Sequence, residues 1–149
     1  MLHSPFLFLH IVTMFALVAF HSGPQILALA AARTGQKSAL GSIAGLYERT
    51  GRAVPPLGIL GALFGIATGL TGGFNLLAPW LLIAYALFVL LVVYGGMVSY
   101  PYIVRIGEAA REDRPNWEQL IGRRLTVIVT SDALLLVLII ADMVVKPFG

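Results

Sequence analysis

Nine of the ten Lys and Arg residues in this chain fall into two short islands, Arg33 to Arg52 and Arg105 to Arg124, and long uncharged apolar stretches fill nearly everything else. Apolar stretches of this length are buried in a lipid bilayer, with the charged islands outside it. Composition agrees, because 58% of the residues are hydrophobic and 11% charged, against about 25% charged in soluble domains. A chain of 149 residues is one domain.

Cytoplasmic loops collect Lys and Arg, so the islands set orientation as well as span number. Four spans are predicted, at 6–32, 56–74, 77–101 and 125–145, making an all-α integral membrane four-helix bundle over residues 1–149. With the basic loops 33–55 and 103–124 cytoplasmic, both termini lie on the opposite side, together with the connection at Asn75. The first span exceeds the roughly 20 residues that cross a bilayer, so it tilts or projects, and Pro24 is placed to kink it. Ala28-Leu29-Ala30 resembles a signal cleavage site, but no basic residue precedes the apolar run and the run is too long, so a retained span is predicted. Only Asn75 and its neighbours separate spans two and three, which predicts a tight antiparallel hairpin. Trp80 and Tyr102, near opposite ends of span three, suit the two interfaces.

The net charge of +3 and pI near 9.6 fit juxtamembrane contact with anionic lipid headgroups rather than nucleic acid, because the basic residues flank apolar spans and are interleaved with acidic ones. No Cys is present, which excludes disulfides and thiolate metal sites held by this chain alone. Within the first island Leu40, Ile43, Ala44 and Tyr47 recur at helical spacing among Lys37, Glu48, Arg49 and Arg52. This predicts a short helix at the membrane surface, stopped by Gly51 and Pro55-Pro56, or alternatively an extension of span one. The second island, with a turn at Arg114-Pro115-Asn116 before Trp117, reads as a solvated connector.

Span two carries Gly61, Gly65, Gly69 and Gly73 at four-residue intervals. Glycines so spaced lie along one helix face and let another helix approach. Packing against span one or three is the first expectation; contact with a second copy or with a larger complex is the other.

Ionisable groups inside spans are costly and usually face the bundle interior. They are His10 and His21 in span one and Asp132 and Asp142 in span four. His10 and His21 are eleven residues apart, about three turns, with His3 nearly in line; Asp132 and Asp142 are ten apart. Spans one and four are antiparallel in this topology, so His10 is expected opposite Asp142, and His21 opposite Asp132, with Thr126, Thr130 and Ser131 near the second pair. At about 1.5 Å per residue the two pairs would be spaced about 16 Å on one helix and 15 Å on the other. Ten residues leave the two Asp side chains roughly 80° apart around a helix, which works against forming both pairs. Three roles compete for these groups: structural polar contacts, a proton or ion path, and haem ligation by His10 or His21. Two-His ligation within one chain needs imidazoles on facing helices, and all the His residues lie on or just before span one. No metal site is predicted, since Met14, Met97 and Met143 are scattered.

Leu9-His10-Ile11-Val12 followed by Phe20-His21-Ser22-Gly23 resembles the opening of small bacterial membrane proteins related to the copper-resistance D domain, and the opening His resembles that of HemJ-type proteins. Pro79-Trp80-Leu81-Leu82, the Gly95-Gly96 to Pro101 exit from span three, and Met143-Val144-Val145-Lys146-Pro147 resemble the predicted integral membrane proteins of domain-of-unknown-function family 2269. The resemblance covers essentially the whole chain and implies a four-span fold in a bacterial inner membrane, with no activity to carry over. Phe20 and His21 depart from the usual Trp region, and span three lacks a Lys that would complete a HemJ-like haem pair with His10. The functional expectation is a structural or accessory subunit of a larger membrane complex, not an enzyme, partnered by lipids and by other subunits or itself. The alternatives are a haem or redox protein using His10, or a proton- or ion-conducting bundle using His21 and Asp132.

Overall fold

In hydrocarbon a backbone must satisfy its own hydrogen bonds, and a helix does this within one segment. The computed structural model describes residues 3–115 and 117–146, and among them every regular element is helical. Asn116 of the predicted turn, Pro147 of the terminal motif and the side chain of His3 lie outside the described residues.

The first helix, α1 (His3–Arg33), runs unbroken through Pro24. It ends where Gly35 adopts a left-handed conformation (φ +66°), and the Gln36 N–H reaches back to the Ala31 carbonyl at 2.9 Å. That motif caps the last carbonyls and reverses the chain. Next comes α2 (Lys37–Thr50), a tight turn at Gly51–Ala53, and α3 (Val54–Thr71). Helical angles persist through the join, with Gly51 at φ −57°, ψ −26° and Val54 at φ −61°, ψ −48°, so α2 and α3 form one 35-residue helical stretch. Pro55 and Pro56 open α3, where a missing N–H costs no helical bond.

The chain turns at Gly73 (φ +72°), and the Asn75 side chain accepts the Leu77 N–H at 3.0 Å. It continues as α4 (Pro79–Tyr94), a π-turn at Gly95–Ser99, and α5 (Tyr100–Arg111). At the π-turn the Tyr100 N–H donates to the Gly95 carbonyl, five residues back. The short α6 (Trp117–Leu120) and then α7 (Arg123–Val145) complete the chain.

Four helical stretches, of 30, 35, 33 and 29 residues, are long and apolar enough to cross a membrane. The protein is an integral membrane four-helix bundle. The second and third stretches are each about 50 Å long, which exceeds about 30 Å of hydrocarbon. The excess is α2 and α5, which pack on each other at the basic end, with Gly107 seated against Ala44. The buried core lies at this same end and includes Ala28, Ala32, Leu40, Tyr47, Ile103, Ile106 and Leu125. Elsewhere the spans present large apolar side chains outward, as lipid-facing helices do; Phe8 is 65% exposed and Phe15 76%.

Four sequence expectations change. The first island is neither a separate surface helix nor an extension of span one; it extends span two, because helical backbone passes straight through Gly51. Residue 74 falls beyond the end of α3, past the Gly73 turn. The second island is not all solvated connector, since residues 103–111 are helix α5 with Ile103, Ile106, Gly107, Ala109 and Ala110 buried. Spans two and three share a short turn but do not pack closely along their lengths; α3 packs on α1, α4 packs on α7, and a cleft separates α3 from α4.

Candidate functional site

Four helical segments meet at His21. The imidazole leaves α1 and rests on Gly95 at the start of the π-turn, where a Cβ would lie 2.6 Å from the ring. Only glycine accommodates the ring there. Its Nε2 is 3.5 Å from Asp132 Oδ2 on α7, and its Nδ1 is 3.2 Å from the Tyr47 hydroxyl on α2. Gln25, one turn along α1, places Nε2 3.2 Å from the Tyr47 oxygen and 3.2 Å from His21 Nε2.

Burial makes these contacts consequential. Asp132 is 0% exposed, Gln25 and Tyr47 1%, and His21 5%. An ionised carboxylate so buried needs a cation or a proton close by. Neither Asp132 oxygen is hydrogen-bonded among the described residues, and His21 Nε2, at 3.5 Å, is the group that faces it as an ion-pair partner. We assign the proton to Nε2, the nitrogen that faces the carboxylate, so that Nδ1 accepts from the Tyr47 hydroxyl. Gln25 then directs its N–H at the Tyr47 oxygen rather than at a protonated ring nitrogen. The result is a directed chain, Gln25 to Tyr47 to His21 to Asp132. At 3.5 Å the last step is longer than a good hydrogen bond. Ser22 Oγ, Ser99 Oγ and Gln25 Oε1 are also buried without a hydrogen-bond partner among the described residues.

Ring contacts extend the array, with Tyr47 and Tyr100 centroids 5.4 Å apart. The Gly95–Ser99 π-turn supplies both the seat for His21 and the buried Ser99. Such turns are frequent at functional sites.

Of the two predicted His–Asp pairs, the structure forms the one at His21. The other does not form: His10 donates from Nδ1 to the Gly61 carbonyl of α3 at 2.7 Å, and Asp142, though buried, has neither carboxylate oxygen hydrogen-bonded among the described residues. The reason is angular, since ten helical residues turn Asp142 roughly 80° away from the direction of Asp132. Thr126, Thr130 and Ser131 make no hydrogen bond to His21 or Asp132 among the described residues, and Thr130 is exposed.

The glycine face packs within the chain. A Cβ on Gly61 would meet Met14 Sδ at 2.5 Å, and one on Gly65 the His10 ring at 2.9 Å. Gly69 lies against Leu76 of the following turn, and Gly73 forms that turn. As haem candidates the two histidines differ. Both nitrogens of His21 are engaged, whereas His10 keeps Nε2 open while its other nitrogen is held by a carbonyl, an arrangement that orients a ligating imidazole. No two imidazoles face each other from different helices, and no group of three or more His, Cys, Asp or Glu with metal-binding placement occurs among the described residues.

Gln25, Tyr47, Gly95 and Ser99 are the site residues that sequence reasoning missed. Gln25 carried a signal, four residues after His21 and so on its face. Gly95 carried none without knowledge of the π-turn.

Beside the junction lies a cleft of about 660 Å³ between α3 and α4, walled by apolar residues including Leu17, Ile59, Leu63, Phe88 and Val92. His21 and Tyr47 line one part of it, with Arg52 and Tyr100.

No family model matches the chain, and neither the curated proteins nor the solved structures contain a significant match to it.

Proposed function

We propose that this chain is a bacterial inner-membrane protein that handles protons inside its bundle, through the chain Tyr47, His21 and Asp132. The observation that carries the reading is the position of one imidazole between a fully buried carboxylate at 3.5 Å and a buried phenol at 3.2 Å. A histidine with a donor on one nitrogen and an acceptor on the other passes one proton without turning. Tyr47 gives its proton to Nδ1 as Nε2 gives one to the Asp132 carboxylate and the Tyr47 oxygen takes one from the α2–α5 end; the imidazole proton is then on Nδ1, so the ring must turn, and Asp132 release its proton toward the opposite side, before the next transfer. In this reading the basic segments 33–55 and 103–124 are cytoplasmic and both termini lie opposite.

Vesicles carrying the purified protein and an internal pH dye test it. An imposed gradient should collapse faster than in protein-free vesicles, and Asp132→Asn should return the rate to the protein-free level with helix content unchanged. Wild-type protein that conducts no faster than empty vesicles removes the proposal.

A second reading, carried by the sequence, is an accessory subunit of a larger membrane assembly; a partner helix would then take the place of lipid on the face of α1 where Phe8 and Phe15 stand 65% and 76% exposed one above the other. Purification from native membranes in mild detergent tests it: a partner chain that follows the wild type and is lost on Phe15→Ala supports it, and isolation alone refutes it.

A further inference from the structure

We propose that the cleft between α3 and α4 binds one anionic phospholipid from the surrounding bilayer, with an acyl chain between the helices and the phosphate at Arg52 and Tyr100. The volume, about 660 Å³, falls within the 300–1,000 Å³ typical of small-molecule sites, which combine apolar walls with a few polar groups. Ile59 and Leu63 of α3 and Val92 of α4 are 63%, 56% and 50% exposed, so the cleft opens sideways, where a second acyl chain stays in the bilayer.

The polar atoms at the cleft select the head. With the proton on Nε2, the His21 N–H is directed at Asp132, 3.5 Å away, and the Tyr47 hydroxyl hydrogen at His21 Nδ1. Neither offers a donor to a ligand. Arg52 and Tyr100 do: among the described residues the Arg52 guanidinium pairs with no carboxylate and the Tyr100 hydroxyl makes no hydrogen bond, although its ring lies against Tyr47. A free guanidinium and a free hydroxyl complement an acceptor-only, negatively charged head, and a guanidinium matches a phosphate geometrically. Arg52 sits in the turn Gly51–Ala53, just before the apolar run of α3, the level of a lipid phosphate.

The test uses the full chain in mild detergent, offered equal amounts of phosphatidylglycerol and phosphatidylcholine with identical acyl chains, with oleate as a third arm; bound molecules are counted by native mass spectrometry. One lipid per chain is expected, with phosphatidylglycerol preferred about fivefold, the worth of one basic side chain near an anionic surface. Arg52→Gln should abolish the preference while leaving lipid bound. Gly96→Phe should abolish binding, since Gly96 lines the cleft and a Cβ there meets no atom within 4 Å, which leaves room at that wall for a ring to occupy the space the acyl chain needs. Equal retention of the two lipids by wild-type protein, an unchanged preference in Arg52→Gln, or lipid retained by Gly96→Phe each overturns the proposal. Displacement of phosphatidylglycerol by an equal concentration of oleate also overturns it, in favour of a free carboxylate amphiphile.

Discussion

Gly95→Ala is expected to damage the His21 junction, whereas Gly96→Ala, one residue on, is not. The two glycines share the π-turn, but their surroundings are opposite. A Cβ at 95 would lie 2.6 Å from His21 Cε1 and 2.9 Å from Nε2, and one at 96 meets nothing within 4 Å. To restore ordinary contact at residue 95 the imidazole must move by about 0.8 Å. That ring is only 5% exposed and is held on both sides, at 3.2 Å by Tyr47 and 3.5 Å by Asp132, so the shift breaks at least one of these contacts. Overpacking costs about 1–3 kcal/mol, and a lost hydrogen bond that leaves a buried group unpaired adds about 1–3 kcal/mol. Replacing Gly by Ala in a helical segment returns roughly 1 kcal/mol. The net expectation is a loss of about 1–5 kcal/mol for Gly95→Ala, against neutrality or a small gain for Gly96→Ala. Thermal unfolding in detergent, followed by the fluorescence of Trp80 and Trp117, measures the difference, and proton flux in vesicles should fall only in Gly95→Ala. Equal melting temperatures and equal flux for the two variants would falsify the seating of His21 on Gly95.

Gly107→Ala should destabilise the basic end by about 1–3 kcal/mol, because the added methyl collides with Ala44 and no rotamer change relieves it; unfolding followed as above measures the loss, and wild-type stability refutes the α2–α5 contact. The absence of Cys makes sidedness directly measurable. In intact cells Asn75→Cys should react with a membrane-impermeant maleimide while Ser38→Cys should react only after lysis, both positions being exposed; the reverse pattern inverts the topology.

The bundle was legible because lipid leaves an apolar segment of 20 or more residues few alternatives to a helix. The approach of His21 to Asp132 followed from orientation and rise per residue alone. Its companion failed because rise and rotation are independent: His10 and Asp142 match in depth but not in direction, and the Gly61 carbonyl holds His10 instead. Tyr47 was visible as part of an apolar helical face, but not as a site residue. Its role depends on α2 continuing through Gly51 into α3, and sequence signals at Gly51 and Pro55-Pro56 argued for a stop. Those prolines stand in the first turn of α3, just after the tighter Gly51–Ala53 turn in which the regular bonding of α2 has ended, so the chain keeps helical angles there although their N–H groups are missing. The cleft was invisible for a related reason. A short turn after α3 implies a hairpin, yet Gly61 and Gly65 draw α3 onto α1, away from α4.

That pairing explains why junction and cleft adjoin. The spans associate as α1 with α3 and α4 with α7, and the α2–α5 contact ties the two pairs at the basic end. Glycine faces and the His10 bond hold the first pair, so α3 is not available to close against α4. Between the pairs, the imidazole of α1 reaches Gly95 on one helix and Asp132 on another. Gly95 thereby serves twice, as part of the cleft wall and as the floor under His21. Anything that enters the cleft lies against the same residues that fix the distance between imidazole and carboxylate. A gap of 3.5 Å is long enough that a few tenths of an ångström decide whether it is a hydrogen bond. An occupant of the cleft would therefore act on the same ring that the proposed proton transfer uses.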